Sequence, residues 1–357
     1  MSEQELDLGD YHELRNAAGH ALRVNVGNSS HFIVNYDDTL MNDIMAEFNQ
    51  LKPVDQLQLL QDLGLLAEGK QISYAEIVPL LPKFADSKSY IVIGALFSSI
   101  RSLFKFVTPD SAQEKDLKAF VNKLAQEQVK RLGWQAKDSD TDDDKRIRPL
   151  EISLALYAEN SAVIKDGHQI FAEHDQNLNE IDASVRPYVL MNEVKNYNKA
   201  GLVDRLLKEY QAAIDPNYKD DLTDGITNTK NPAEIKKLIE NFENAAVVKP
   251  QDLRSWFANV LANPKGEQFA WDWLRDQWSW LEKTVGGDME FTTYITVASN
   301  IFHTEKRLEE FKEFFEPKVD QPGLGREIRM DTKNIESKVD VINAEKDAVN
   351  QAVKEAL

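Results

Sequence analysis

Phe269-Ala-Trp-Asp-Trp-Leu-Arg-Asp-Gln-Trp-Ser-Trp-Leu281 carries four of the chain's six tryptophans and neither Pro nor Gly. Without a breaker, the stretch predicts a continuous helix. Stepping about 100° per residue puts Trp271, Leu274, Trp278, Leu281 and Val285 on one ridge. Phe269, Trp273 and Trp280 form a second ridge nearly opposite, with Ala270 in the arc between them. Asp272, Arg275, Asp276, Ser279, Glu282 and Lys283 crowd into the remaining sector. A surface helix carries one apolar stripe. A helix that is apolar over more than half its girth is expected to be clasped from two sides, as happens inside a stacked array of helix pairs. The competing reading is an exposed aromatic platform for a ligand.

The text on either side is helix after helix. Met41, Ile44, Met45 and Phe48 share one face, and Pro53 opens a helix carrying Leu57, Leu60 and Leu63 that closes at Gly69. Ser73-Tyr-Ala-Glu76 and Ser111-Ala-Gln-Glu114 read as capping boxes. Pro53, Pro109, Pro216, Pro232 and Pro250 each precede an amphipathic run, as Pro near a first helical position does. The pattern predicts roughly sixteen helices joined by short links, which makes successive helices antiparallel neighbours. No fixed-period consensus repeats, so the array is irregular. The expected fold class is therefore mainly α, with residues 37–357 forming the helical domain.

Residues 1–36 read differently. A polar lead-in precedes Ala21-Leu-Arg-Val-Asn-Val26 and His31-Phe-Ile-Val-Asn-Tyr36, two β-branched runs around Gly27-Asn-Ser-Ser30. They predict a β-hairpin. A lone hairpin does not hold itself together in water, so this one is expected to pair with strands outside the chain or to pack on the helices behind it.

With 357 residues, 42% hydrophobic and 29% charged, the chain has the composition of a globular protein. The net charge of −18 argues against nucleic acid or an anionic membrane surface as partner. No cysteine is present, which removes disulfides, thiolate metal sites and a cysteine nucleophile. Met1-Ser-Glu-Gln-Glu-Leu-Asp7 has neither a basic start nor an apolar core, so no signal peptide is expected. No apolar run approaches the ~20 residues of a membrane span. A cytoplasmic setting is the expectation.

The motifs of chemistry do not assemble. His12, His20, His31, His168, His174 and His303 form no H-E-x-x-H pair. No G-x-S-x-G elbow, phosphate loop or dinucleotide fingerprint occurs. Asp138-Ser-Asp-Thr-Asp-Asp-Asp144 fails as a calcium loop, with Asp143 at the glycine position and Pro149 at the glutamate position. It reads as an acidic linker entering a helix N-terminus. Gly287-Asp-Met-Glu-Phe291 echoes the G-x-M-E-N strand of certain zinc aminopeptidases, but Phe291 stands where Asn is required. The likeness is read as coincidence. Carboxylate pairs are too common in so acidic a chain to select any one of them.

Several stretches, in order, resemble the C-terminal region of the aminopeptidase N family of zinc metallopeptidases, and of lactic-acid-bacterium members in particular. Asn25-Val-Gly-Asn-Ser-Ser-His-Phe-Ile-Val-Asn-Tyr-Asp37 is similar to the family's N-x-G-x-x-G-x-Y-R-V-x-Y-D, with Ser30, Phe32 and Ile33 departing from its Gly, Tyr and Arg. Leu51-Lys-Pro-Val-Asp-Gln-Leu-Gln-Leu-Leu-Gln-Asp62 and Gly69-Lys-Gln-Ile-Ser-Tyr74 resemble L-x-x-x-D-R-x-Q-L-L-x-D … G-x-L-S-Y, with Gln56 for Arg. Leu132-Gly-Trp134 with Arg148-Pro-Leu150 looks like L-G-W … L-R-x-L. Asn263-Pro-Lys-Gly266, Trp271-Asp-Trp-Leu274 and Trp278-Ser-Trp-Leu281 look like the family's tryptophan helix.

The resemblance implies a superhelix of HEAT-like helix pairs, with the hairpin as the end of a small β-sandwich. It implies that zinc, the catalytic glutamate and the amine-binding strand belong to an upstream catalytic domain of the same polypeptide. No cofactor and no catalytic residue is then expected in this chain, which would be inactive alone and would cap the catalytic domain and shape a chamber for peptide substrate. Arg326 and Arg329, one helical turn apart after a glycine turn, are the candidates for meeting a peptide carboxylate or backbone. The alternative is a self-standing α-solenoid scaffold that binds peptides or proteins.

Overall fold

The computed structural model describes residues 5–286 and 291–357. Among them are eighteen α-helices and no strand. The first five are α1 (Tyr11–Ala18), α2 (Asp38–Ala46), α3 (Pro53–Glu68), the single turn α4 (Tyr74–Ile77) and α5 (Tyr90–Ser102). Next come α6 (Ala112–Leu132), α7 (Asp142–Tyr157), α8 (Ser161–Glu173), α9 (Arg186–Asn192), α10 (Leu202–Ala212) and α11 (Pro216–Ile226). The rest are α12 (Pro232–Glu240), α13 (Leu253–Ala262), α14 (Glu267–Asp276), α15 (Trp278–Val285), α16 (Thr293–Ile301), α17 (Glu305–Phe315) and α18 (Gly325–Glu355).

Local chemistry sets these boundaries. Ser73 and Glu76 cap each other's backbone as the sequence predicts. Ser111 caps α6 by accepting from Glu114 N–H, while the Glu114 carboxylate reaches back to Asp110 N–H instead of the cap residue. Pro53, Pro216 and Pro232 take the first helical position; Pro109 and Pro250 stand in the preceding turns instead. The acidic run 138–144 is no free linker. Asp142–Asp144 form the first turn of α7, Asp140 pairs with the buried Arg148, and Asp144 pairs with Arg131 at 2.5 Å.

Successive helices pack on each other: α6 on α7, α8 on α9, α10 on α11, α13 on α14, α17 on α18. Alternate helices also touch, in the order α3, α5, α7, α9, α11, α13, α16, α18. Two apolar cores result. The larger is built from residues between Trp134 and Val339, the smaller from Ala21 to Leu154 together with Val341, Ile342, Val349 and Val353 of α18. The 31 residues of α18, roughly 46 Å long at 1.5 Å per residue, therefore run through both cores. Glu345 of α18 accepts from Ser73 Oγ (2.9 Å) and Tyr74 N–H (2.6 Å), tying the last helix to the fourth.

The tryptophan stretch is clasped from two sides, but it is not one helix. It breaks at Gln277 (φ −103°, ψ 14°) into α14 and α15. The break lets Trp271 face Phe302, Phe311 and Phe314 of the α16–α17 side, while Trp273 meets Phe242 and Phe257 of the α12–α13 side. Trp278 then closes on Phe291, Phe314 and Phe315. Trp271 and Trp278 share the Phe314 and Phe315 rings across the break. Phe269 is exposed, so the second ridge is shorter than the sequence suggests. Each buried indole removes roughly 200 Å² from water, worth about 5 kcal/mol at ~25 cal/mol/Å². Arg307 locks the clasp, bonding Glu267 (2.6 Å), Gln268 (2.9 Å) and Glu310 (2.5 Å).

Residues 21–36 correct the expected hairpin. They form an irregular segment whose backbone donors go to side chains or to carbonyls within the segment, not to a facing strand. Gly27 N–H donates to Asp55 (2.8 Å), Val34 N–H to Asp62 (3.2 Å) and Val24 N–H to the Tyr36 hydroxyl (2.9 Å). Arg23 pairs with Asp55 at 2.9 Å. Asn25 and Asn28 adopt left-handed backbone (φ 59° and 51°), which curls each run out of extended geometry. Val24 and Val26 of the first run and the adjacent Phe32 and Ile33 of the second are left exposed. The lead-in is not featureless either: α1 is capped by Asp10 and closed by Gly19 (φ 71°), and Arg15 pairs with Asp43 at 2.6 Å.

Candidate functional site

Arg326 and Arg329 lie in the first turns of α18, exposed to solvent. Gly323 (φ +85°) turns the chain into the helix, and Gly325 must be glycine, because a Cβ there would sit 2.2 Å from the Val319 carbonyl oxygen. Helical stepping adds Lys333 to their face, a neighbour the sequence reading missed although its spacing was visible. The three cations border an open groove of about 460 Å³ with Glu316, Val319 and Glu336. Glu336 is taken by Lys312 at 2.5 Å, whereas Arg326 and Arg329 make no ion pair with a described residue. An unneutralised guanidinium pair can accept a carboxylate or carbonyl oxygens.

A second surface is acidic. α11, α13 and α16 enclose a hollow of about 370 Å³ lined by Asp220, Asp224, Arg254, Asn259 and Thr296. Burial pushes the Asp224 carboxyl up, opposed by the Asn259 amide at 2.7 Å. Burial also raises Asp220, with Asp252 adding to the effect. Asp221 on the same helix is pushed up to about 6 by burial, against the pull of Arg186 at 3.4 Å. Next to the hollow, the Thr296 hydroxyl lies 2.7 Å from Glu327 and 3.1 Å from Asp331, and burial raises Asp331. Asp220 and Asp224 stand four apart on one helix, but only the fold reveals that Asp252 lies beside them and that Thr296 of α16 reaches Glu327 and Asp331 of α18.

The histidines have local roles. His168 Nδ1 lies 2.7 Å from the buried Glu193 carboxylate, and its ring stacks on Tyr197 at 3.7 Å. His174 Nδ1 is 2.9 Å from the Ile170 carbonyl. Among the described residues no three His, Cys, Asp or Glu side chains are arranged to hold a metal ion. The residues present do not fit a zinc site. Gly287–Glu290 of the aminopeptidase-like stretch lie outside the described residues, as do Met1–Gln4 of the start. No described helix is long and apolar enough to cross a membrane.

The fold defines a mainly α-helical domain. The chain belongs to the family described as the ERAP1-like C-terminal domain, which matches residues 22–337. It is 59% identical over its whole length to Aminopeptidase N of Lactobacillus helveticus and 53% identical to Aminopeptidase N of Lactobacillus delbrueckii subsp. lactis, in each case spanning 42% of the relative. It is 23% identical over 93% of its length to the mitochondrial Aminopeptidase 2 of Saccharomyces cerevisiae, where it covers 35%. The chain thus spans less than half the length of the curated relatives it matches. These matches do not favour the self-standing scaffold.

Proposed function

We propose that this chain is the C-terminal, non-catalytic part of a cytoplasmic zinc aminopeptidase that removes N-terminal residues from peptides. Its helix pairs form a HEAT-like superhelix that caps the catalytic region and shapes the chamber the peptide enters. Residues 1–36 serve as the joint to that region and residues 37–357 as the cap. Zinc and the catalytic groups belong to the preceding region, a reading supported by the similarity to Aminopeptidase N. The observation that carries the reading is end-to-end similarity to aminopeptidases of which the chain spans 42%. Arg326 and Arg329, joined by Lys333, meet the carboxylate or backbone of the peptide.

The test compares the chain with its full-length protein on aminoacyl-nitroanilides in the presence of zinc. Turnover is expected from the full-length protein alone, and robust turnover by residues 1–357 overturns the reading. In the full-length protein, R326A/R329A should raise KM for peptides several-fold and leave a nitroanilide, which has no carboxylate to bind, unchanged. A peptide KM that R326A/R329A leaves unchanged, or a rise equal for both substrates, removes the arginines from the site.

A further inference from the structure

α3 and α5 pack side by side and, with residues 28–33, wall a groove of about 1020 Å³. Its floor is unusual. Gly64 in the middle of α3 and Gly94 in the middle of α5 both line it. A glycine inside a helix costs stability relative to alanine, so each needs a reason. Nothing in the chain supplies one, because neither backbone is left-handed and a Cβ built at either position meets no atom within 4 Å. By helical stepping Ser98 and Ser102 continue the Gly94 face, so the α5 wall stays low along its length.

A second observation is independent of the small residues. Tyr74, 2% exposed, also lines the groove, and its hydroxyl oxygen has no hydrogen-bond partner. An orphaned buried hydroxyl costs about 1–3 kcal/mol. A third concerns the rims. Of the thirteen large apolar side chains left exposed among the described residues, eight lie before residue 92, from Leu6 to Ile91. Phe32, Ile33 and Leu65 stand on this groove at 48–49% exposure, and Ile91 falls one turn before Gly94 on the α5 face at 43%. Apolar surface so concentrated marks an interaction site.

We infer that the groove between α3, α5 and residues 28–33 seats an apolar segment of the region that precedes this domain in the longer aminopeptidases. The occupant follows from position and length. The matched family is a C-terminal domain, the chain spans 42% of its relatives, and the exposed apolar residues cluster at the end where the remaining chain would join. Gly64 and Gly94 let a backbone of that segment approach both helices closely, and its rim contacts cover Phe32, Ile33, Leu65 and Ile91. The inference rests on the reading of the chain as part of a longer aminopeptidase, but its test does not read activity.

Hydroxyl-radical footprinting of the isolated chain and of the full-length protein should show Phe32, Leu65 and Ile91 labelled severalfold less in the full-length protein, with exposed Ile214 as the unchanged control. Gly94→Trp should leave the melting temperature of the isolated chain level or raised, since its Cβ meets open space, and should restore labelling of Leu65 and Ile91 in the full-length protein. Equal labelling of the two wild-type proteins overturns the inference. So does Gly94→Trp without effect on full-length labelling. A dimer of the isolated chain that Gly94→Trp converts to monomer gives the groove to a second copy and likewise overturns it.

Discussion

Two regions of this molecule are rich in apolar residues, and they end in opposite states. The tryptophan stretch buries its rings, and residues 21–36 leave theirs in water. Trp271 is 0% exposed and touches aromatic rings of two helices, whereas Val26 is 56% exposed. The difference lies in what each backbone can satisfy alone. α14 and α15 close their own hydrogen bonds, so their side chains are free to seek partners. An extended run cannot, and here its amides are taken by Asp55, Asp62 and Tyr36. Apolar content therefore forecasts burial only where the backbone is already provided for.

The contrast is broken most directly by truncation. Trp271→Ala should cost about 3–5 kcal/mol, read as a shift of the denaturation midpoint, while Val26→Ala should move it by less than about 0.5 kcal/mol. Comparable shifts would abolish the distinction.

α7 lies between the two cores, with Ile147 and Leu154 in the smaller and Ile152, Ala155 and Leu156 in the larger. Glu151 is buried there with an unpartnered oxygen, and burial pushes its carboxyl up to about 8 against the nearby Arg131. A folded value above the ordinary 4.5 means the native state holds a proton that the unfolded state releases. The contribution of Glu151 to stability is then fully present below pH 4.5 and is lost as pH rises through 8, the reverse of a paired carboxylate. Glu151→Gln should flatten that slope and stabilise the protein by roughly 2–5 kcal/mol at pH 9. Fluorescence of the tryptophans and exchange in α3 should report the same gain if the cores unfold together.

Asp55 gives a smaller and opposite effect. Burial raises its carboxyl, but the Gly27 amide and Arg23 outweigh burial and hold it below 3.8. Its contribution is present above that value and is lost as pH falls through the folded one. Asp55→Ala should cost about 1–3 kcal/mol and speed hydrogen exchange at Gly27 without changing Trp271 fluorescence. Among the tryptophans the smaller effect belongs to Trp278→Phe. The Trp278 indole N–H has no partner, so its loss should cost under about 1.5 kcal/mol, less than Trp271→Phe, which gives up a bond to Glu310 at 3.0 Å.

Periodicity made most of the helices legible, because amphipathic runs with Ser, Asn or Pro at their starts leave few other conformations. Three features were not legible. The break at Gln277 has no Pro or Gly to signal it. The fate of residues 21–36 depends on Asp55 and Asp62, which nothing in the sequence ties to that segment until it is placed beside α3. At the candidate site the spacing of Arg326 and Arg329 was visible, whereas the acidic hollow needed α11, α13 and α16 to be brought together.

α18 also orders events in time. It supplies Val341, Ile342, Val349 and Val353 to a core whose other members all precede residue 155. During synthesis that core stays open on one side until more than 180 further residues have been made. Contacts so distant in sequence form slowly, so the amino-terminal helices must wait, partly unburied, for the carboxy-terminal helix to emerge. Premature release before residue 339 would leave both cores incomplete at once, and such a product should be cleared by proteases as a whole rather than trimmed to a stable half.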